Sequence, residues 1–138
     1  MRVVNVSSSA ASLAQFDRAQ NQERAQALKR RFVEAASVAD EDRGDALLDM
    51  LVGEFERAVA DGTWRERGWL GSMYSVSKVA LNAYGRQLAE RGVGQGGQHQ
   101  QQLAPFVAVN VHPGYISTAM SSYKGPLPPS RGADTPVW

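Results

Sequence analysis

Two short β-branched runs constrain this chain most. Arg-Val-Val-Asn-Val at 2–6 and Phe-Val-Ala-Val-Asn-Val at 106–111 each read as a buried strand, and each ends in turn chemistry, Ser7-Ser8-Ser9 and His112-Pro113-Gly114. A lone short strand cannot satisfy its edges or bury both faces. Either the two runs pair with each other, or their partners belong to other sequence. The stretch between them is dominated by helical periodicity. That order, strand, helices, strand, is the order of an α/β unit with parallel strands and a right-handed crossover. In such sheets ligands bind beyond the carboxyl ends of the strands. The serine loop and the His-Pro-Gly turn should therefore sit side by side there.

The helical stretch divides into three. Residues 19–38 carry one apolar stripe, Ala25, Leu28, Phe32 and Ala35 or Ala36, among Arg, Gln and Glu. Residues 45–60 carry a second, with Leu47, Leu48, Leu51, Phe55, Ala58 and Val59 on one face. Asp42 or Asp45 can cap this helix, Gly44 falls near the break before it, and Gly62 is placed to end it. Together the two read as a hairpin inserted over about residues 19–62. A loop with Trp64 and Trp69 as packing anchors follows, and then a helix over 72–91 that Ser72 can cap. Ala80, Ala83 and Gly85 would let another element approach this last helix closely. The Gly/Gln-rich segment 92–102 reads as a flexible surface loop, and 121–138, rich in Pro, Gly and Ser, as mostly irregular.

Composition narrows the function classes. The chain has 138 residues and a net charge of +1, so it suits one small domain and implies no polyelectrolyte partner. Lys29-Arg30-Arg31 is flanked by acidic residues and reads as a solvated helix face rather than a nucleic-acid patch. Without cysteine there are no disulfides or thiolate metal sites, and His99 and His112 form no ligand cluster, so no metal is expected. No apolar run approaches membrane-spanning length and no basic-then-apolar leader opens the sequence, so the expected compartment is the cytosol.

The chemistry centres on Tyr74-Ser75-Val76-Ser77-Lys78. At spacing i, i+4 the phenol and the ammonium share one helix face. A cation beside a phenol favours the phenolate and lowers its pKa from about 10, which would make Tyr74 a usable proton donor or acceptor nearer neutral pH. The other reading is a surface Tyr and Lys on an amphipathic helix.

Three pieces stand in order: Val-Asn-Val-Ser-Ser ending a strand, Tyr-x-x-x-Lys opening a helix, and Asn-Val-His-Pro-Gly-Tyr-Ile-Ser-Thr following the next strand. Together they resemble the second half of a short-chain dehydrogenase/reductase. The likeness is closest to the cytosolic carbonyl reductases, which also carry a helical insertion between serine and tyrosine. It extends from Arg2 to the Gly-Ala-Asp-Thr-Pro-Val stretch at 132–137. The resemblance implies part of a Rossmann-type, doubly wound parallel sheet, and reduction of aldehydes, ketones or quinones with hydride from NADPH. It casts Ser8 as the serine that holds the substrate carbonyl oxygen, with Ser9 one position out of register. Tyr74 is cast as the general acid, and Lys78 as the lysine that bonds the nicotinamide ribose. Pro113, Gly114, Ile116 and Thr118 match the segment that lies along the nicotinamide.

The family's glycine-rich phosphate turn, its cofactor-selecting residues, its Asn-Asn-Ala-Gly segment and its upstream catalytic asparagine have no counterpart here. The expectation is a reductase sequence truncated at both ends. A second reading follows, that of a non-catalytic fragment without the dinucleotide-phosphate site. The expected partner is a small carbonyl substrate, with no nucleic acid or membrane. In the related reductases the insertion packs over the tyrosine helix and keeps the protein monomeric, so Leu47, Leu51 and Phe55 are expected to face that helix.

Overall fold

In the computed structural model, residues 2–94 and 107–136 are described. Strand β1 (Arg2–Val6) pairs in parallel with β2 (Val107–Val111), Val3 opposite Ala108 and Asn5 opposite Asn110. The two β-branched runs thus satisfy each other along one edge. Phe106, the residues from 95 onward in the Gly/Gln-rich segment, and Val137 lie outside the described residues.

Among the described residues three α-helices lie between the strands: α1 (Gln22–Ala36), α2 (Glu41–Ala60) and α3 (Met73–Gly94). The insertion is a helical hairpin, as its periodicity indicates, but its boundaries move. Asn21 caps α1 through a bond from the Arg24 amide, and the Asp40 carboxylate caps α2 by accepting from the Arg43 amide at 2.8 Å. Neither Asp42 nor Asp45 is the cap. Gly44 is not at a break but inside α2, where its backbone is covered by the Gln87 side chain. Glu41, Asp42 and Arg43 form the first turn of the helix, ahead of its apolar stripe. Gly62 ends α2 with φ +75°, a left-handed conformation that glycine adopts without penalty.

Ahead of α1 a 3-10 stretch, Leu13–Arg18, puts Phe16 fully inside. Phe16, Phe32, Phe55 and Trp69 make one aromatic cluster with ring centroids 5.2–6.2 Å apart. Leu28, Leu48, Leu51, Val76, Val79 and Ala83 close the core around it. On α2 the inward face is Leu48, Leu51 and Phe55, and Leu47 is only partly buried at its margin. Trp69 is an anchor in this core, with Trp64 packed at its edge.

The hairpin is locked to α3 by polar contacts as well. Buried Gln87 donates to the carbonyls of Ala35 at 2.8 Å and Gly44 at 3.0 Å, and Arg91 donates to Asp45 at 2.7 Å. The basic run is largely engaged: Lys29 pairs with Asp17 at 3.1 Å and Arg31 with Glu54 at 2.6 Å.

The polar and small stripe of α3, Tyr74, Lys78, Asn82 and Gly85, runs along the strands. Asn5 donates to Asn110 at 3.1 Å, and Asn110 donates to the Asn82 carbonyl at 3.1 Å. A Cβ at Gly85 would stand 2.1 Å from Asn110 Oδ1, so the helix can approach the sheet this closely only with glycine there. After β2, the segment read as irregular contains a short helix, α4 (Pro129–Ala133), and a bridge between Ile116 and Leu127. Pro129 opens α4 in the first turn, where its missing N–H costs nothing. Among the described residues no helix is long and apolar enough to cross a membrane.

Candidate active site

The carboxyl ends of β1 and β2 open into a cleft of about 770 Å³. Parallel pairing continues one residue past the strands, where the Ser7 amide donates to the Val111 carbonyl at 2.7 Å. The serine loop and the His112-Pro113-Gly114 turn are thereby held side by side. Helix α3 enters from the third side. The Ser72 hydroxyl accepts from the Ser75 amide at 3.1 Å and so starts the helix. Val76 and Val79 anchor its first turns in the core. Tyr74 and Lys78, one turn apart, are left on the cleft side.

Ser8, Tyr74, Lys78, Pro113, Gly114, Ile116 and Thr118 all line this one cleft. Ser8 is extended, and its Oγ accepts from the Ala10 amide at 3.1 Å, capping the short helix Ser9–Ala11. That bond occupies a lone pair and leaves the hydroxyl proton free to donate. Lys78 Nζ lies 5.8 Å from the centre of the Tyr74 ring and donates to the Val6 carbonyl at 2.9 Å. An ammonium has three donors, and among the described residues Lys78 pairs with no carboxylate. Among the described residues no carboxylate lines the cleft and Lys78 is its one fixed charge, so two of the ammonium's donors remain available to a ligand. Gly114 has φ +91°, which turns the chain sharply away from β2 and would be strained with any other residue.

The sequence reading did not single out Ser7, Met120, Ser121, Pro129 or Gly132, which also line the cleft. Ser7 is 6% exposed and its Oγ has no partner among the described residues. Ser121 fixes the loop: its Oγ donates to the Ile116 carbonyl at 2.6 Å and accepts from the Thr118 amide at 3.1 Å. Pro129 and Gly132 come from the segment read as irregular, where no periodicity could mark them. Met120 is 83% exposed at the rim. Among the described residues no group of His, Asp or Glu side chains could hold a metal.

The cleft thus brings together a phenol, an ammonium and a hydroxyl with a free proton at the end of a parallel sheet. Comparison with known proteins gives the family. The chain is 32% identical to (+)-neomenthol dehydrogenase of Arabidopsis thaliana over 139 aligned positions, which cover 99% of this chain and 39% of that protein. It is 30% identical over 89 positions to carbonyl reductase (NADPH) 1 of Sus scrofa, covering 64% of this chain and 29% of that one. It is 34% identical over 93 positions to short-chain dehydrogenase/reductase 1 of Saponaria officinalis, covering 65% and 27%. No family model matches the chain. These relationships put the chain in the short-chain dehydrogenase/reductase family. It spans well under half the length of these curated relatives.

Proposed function

We propose that this chain forms the substrate and nicotinamide end of the active site of an NADPH-dependent carbonyl reductase, within a Rossmann-type sheet. The observation that carries the reading is the single cleft lined by Ser8, Tyr74 and Lys78 together. Relatives named as dehydrogenases and carbonyl reductases support the reaction class, and two named for NADPH, from Sus scrofa and Mus musculus, support the cofactor.

The lining fits the nicotinamide end of a dinucleotide. Lys78 has ammonium donors left for ribose hydroxyls, and Thr118 and the Pro113-Gly114 turn offer a polar, close-approaching wall. When bound, the cofactor supplies the hydride. The chain's own residues do the rest. Ser8 donates its free hydroxyl proton to the substrate carbonyl oxygen and helps stabilise negative charge developing there. Tyr74 gives its phenolic proton to the same oxygen as the alcohol forms. Lys78 keeps positive charge beside the phenol, so the phenolate left behind is stabilised until it is reprotonated. The Lys78 bond to the Val6 carbonyl ties this cation to the strand that carries Ser8. A lining without carboxylates among the described residues suits a neutral carbonyl substrate and avoids repulsion with the phosphate-bearing cofactor. The reading places the protein in the cytoplasm and makes it a monomer, with the α1–α2 hairpin covering α3.

The test is to incubate the full-length protein that carries this chain with NADPH and a set of aldehydes, ketones and quinones, following loss of the reduced cofactor. Carbonyl-dependent oxidation of NADPH is expected. No turnover of any carbonyl with NADPH or NADH would overturn the proposal.

A further inference from the structure

A second cleft, of about 330 Å³, opens between α1 and α3 and shares no lining residue with the cleft of Tyr74. We propose that it binds a small apolar molecule that carries one hydrogen-bond donor, a phenol or an alcohol. Its size is that of a small-molecule pocket. The wall is apolar: Leu13, Phe32, Val33, Ala36, Val79 and Ala83. Phe32, Ala36, Val79 and Ala83 are buried core residues, so the cleft reaches the core, and Val33, 50% exposed, stands at its rim.

The sign of a ligand is Asn82. It lines the cleft, and its Oδ1 is buried with no hydrogen-bond partner among the described residues. Buried polar atoms are ordinarily satisfied, because an acceptor left without a donor costs its full desolvation. The other polar groups of the lining are committed elsewhere. Asn110 Nδ2 donates to the Asn82 backbone carbonyl at 3.1 Å, and Asn110 Oδ1 accepts from Asn5. The Ser37 hydroxyl donates to the Val33 carbonyl at 2.9 Å. Arg86, the one charged residue among the described lining, has a side chain 66% exposed beside Glu90, at 4.0 Å.

A buried water needs about two to four polar partners, which this apolar wall does not supply. A ligand that brings one O–H would satisfy the Asn82 oxygen while its apolar body covers Phe32 and Val79. That pairing of a lone acceptor with an apolar wall is what selects a neutral donor over an anion. Asn82 follows Lys78 by one turn on the same stripe of α3, so the ligand would touch the helix of the candidate active site without entering its cleft. The site does not depend on the reductase reading.

The experiment is an NMR titration of the isotope-labelled 138-residue chain with 4-ethylphenol and, separately, with 4-ethylanisole, which keeps the apolar body and loses the donor. Saturable shifts from the phenol are expected at Val33, Ala36, Val79 and Ala83. The ether should bind at least about tenfold more weakly, the scale for leaving a buried acceptor unpaired. Asn82→Leu removes the acceptor and keeps the backbone carbonyl that Asn110 bonds, so it should make the two probes bind alike. Val33→Trp, a change at the exposed rim, should block the cleft and abolish the shifts at Ala36 and Ala83. The same spectra report whether each variant keeps the fold, and if Asn82→Leu does not, Val33→Trp decides. Equal affinity of the two probes for the parent, a preference for the phenol that survives Asn82→Leu, or shifts that survive Val33→Trp would overturn the site. So would non-saturable shifts, or broadening of the same signals with protein concentration alone, which would mean that a second copy of the chain covers the cleft.

Discussion

Replacing Gly85 by alanine should destabilise the chain, although the same change favours helix almost everywhere else. In an exposed helix interior, Gly→Ala stabilises by about 0.5–1 kcal/mol through backbone entropy. At Gly85 the new Cβ would lie 2.1 Å from Asn110 Oδ1, 2.7 Å from Asn5 Nδ2 and 2.8 Å from Asn110 Cγ. Those atoms cannot swing aside cheaply. Asn5 and Asn110 are bonded to each other, and Asn110 also donates to the Asn82 carbonyl. Either the ladder breaks or α3 lifts from the sheet. Overpacking of this kind costs about 1–3 kcal/mol, and a lost hydrogen bond about 1 kcal/mol more. Set against the helix propensity gain, the net loss is about 1–3 kcal/mol. Gly53→Ala is the matched control. It sits in α2, and a Cβ there meets only the mobile Arg57 guanidinium, at 3.3 Å. That variant should gain up to about 1 kcal/mol. Urea unfolding followed by circular dichroism compares the two. Equal or greater stability for Gly85→Ala would refute the close helix–sheet contact and the register that creates it.

Gln87→Leu should cost about 1–3 kcal/mol in the same assay, because it strips hydrogen bonds from the buried Ala35 and Gly44 carbonyls; an unchanged urea midpoint would contradict this. Arg31 holds the Glu54 carboxyl below its ordinary 4.5 by donating two hydrogen bonds to it. The folded state then binds that proton less tightly than the unfolded one, so the stabilisation is complete above about pH 4.5 and disappears as pH falls through the lower folded value. Both side chains are about a third exposed, which limits the gain to less than about 1 kcal/mol. Glu54→Gln should therefore be weaker than the parent at neutral pH and should match it in strong acid; a difference that persists in acid would refute the pairing. Sedimentation of the full-length protein should show a monomer, and a dimer with α3 in its interface would contradict the covering role given to the hairpin.

Much of this arrangement was legible in the chain because it is written in side-chain pattern. The β-branched runs announced both strands, and apolar periodicity announced the hairpin and its inward residues Leu51 and Phe55. The small stripe on α3 announced a close approach, and the Asn ladder is what approaches. The reading failed where geometry depends on backbone bonds rather than periodicity. The Asp40 cap lies about two turns ahead of Leu47, where the apolar stripe begins, so periodicity alone starts α2 too late. The 3-10 stretch that buries Phe16 has no repeating face to detect. Helix α4 is five residues long, too short for any period to register, yet Pro129 and Gly132 bring it to the cleft wall. Of the site, the residues that match the family motifs could be named in advance. Ser7 and Ser121 could not, since their positions follow from the pairing of Ser7 with Val111 and from the loop bonds at Ile116 and Thr118.

The most direct measurement of the central claim is the Tyr74→Phe variant of the full-length protein, with turnover and cofactor binding measured side by side. The substitution removes one oxygen and leaves the ring, and Lys78 keeps its bond to the Val6 carbonyl. If Tyr74 donates the proton, the rate of carbonyl reduction should fall on the order of 10²–10⁴-fold. The affinity for NADPH should stay close to that of the parent, because the ammonium and Thr118 remain. Turnover at the parent rate would remove Tyr74 from the chemistry and with it the reductase reading of this cleft.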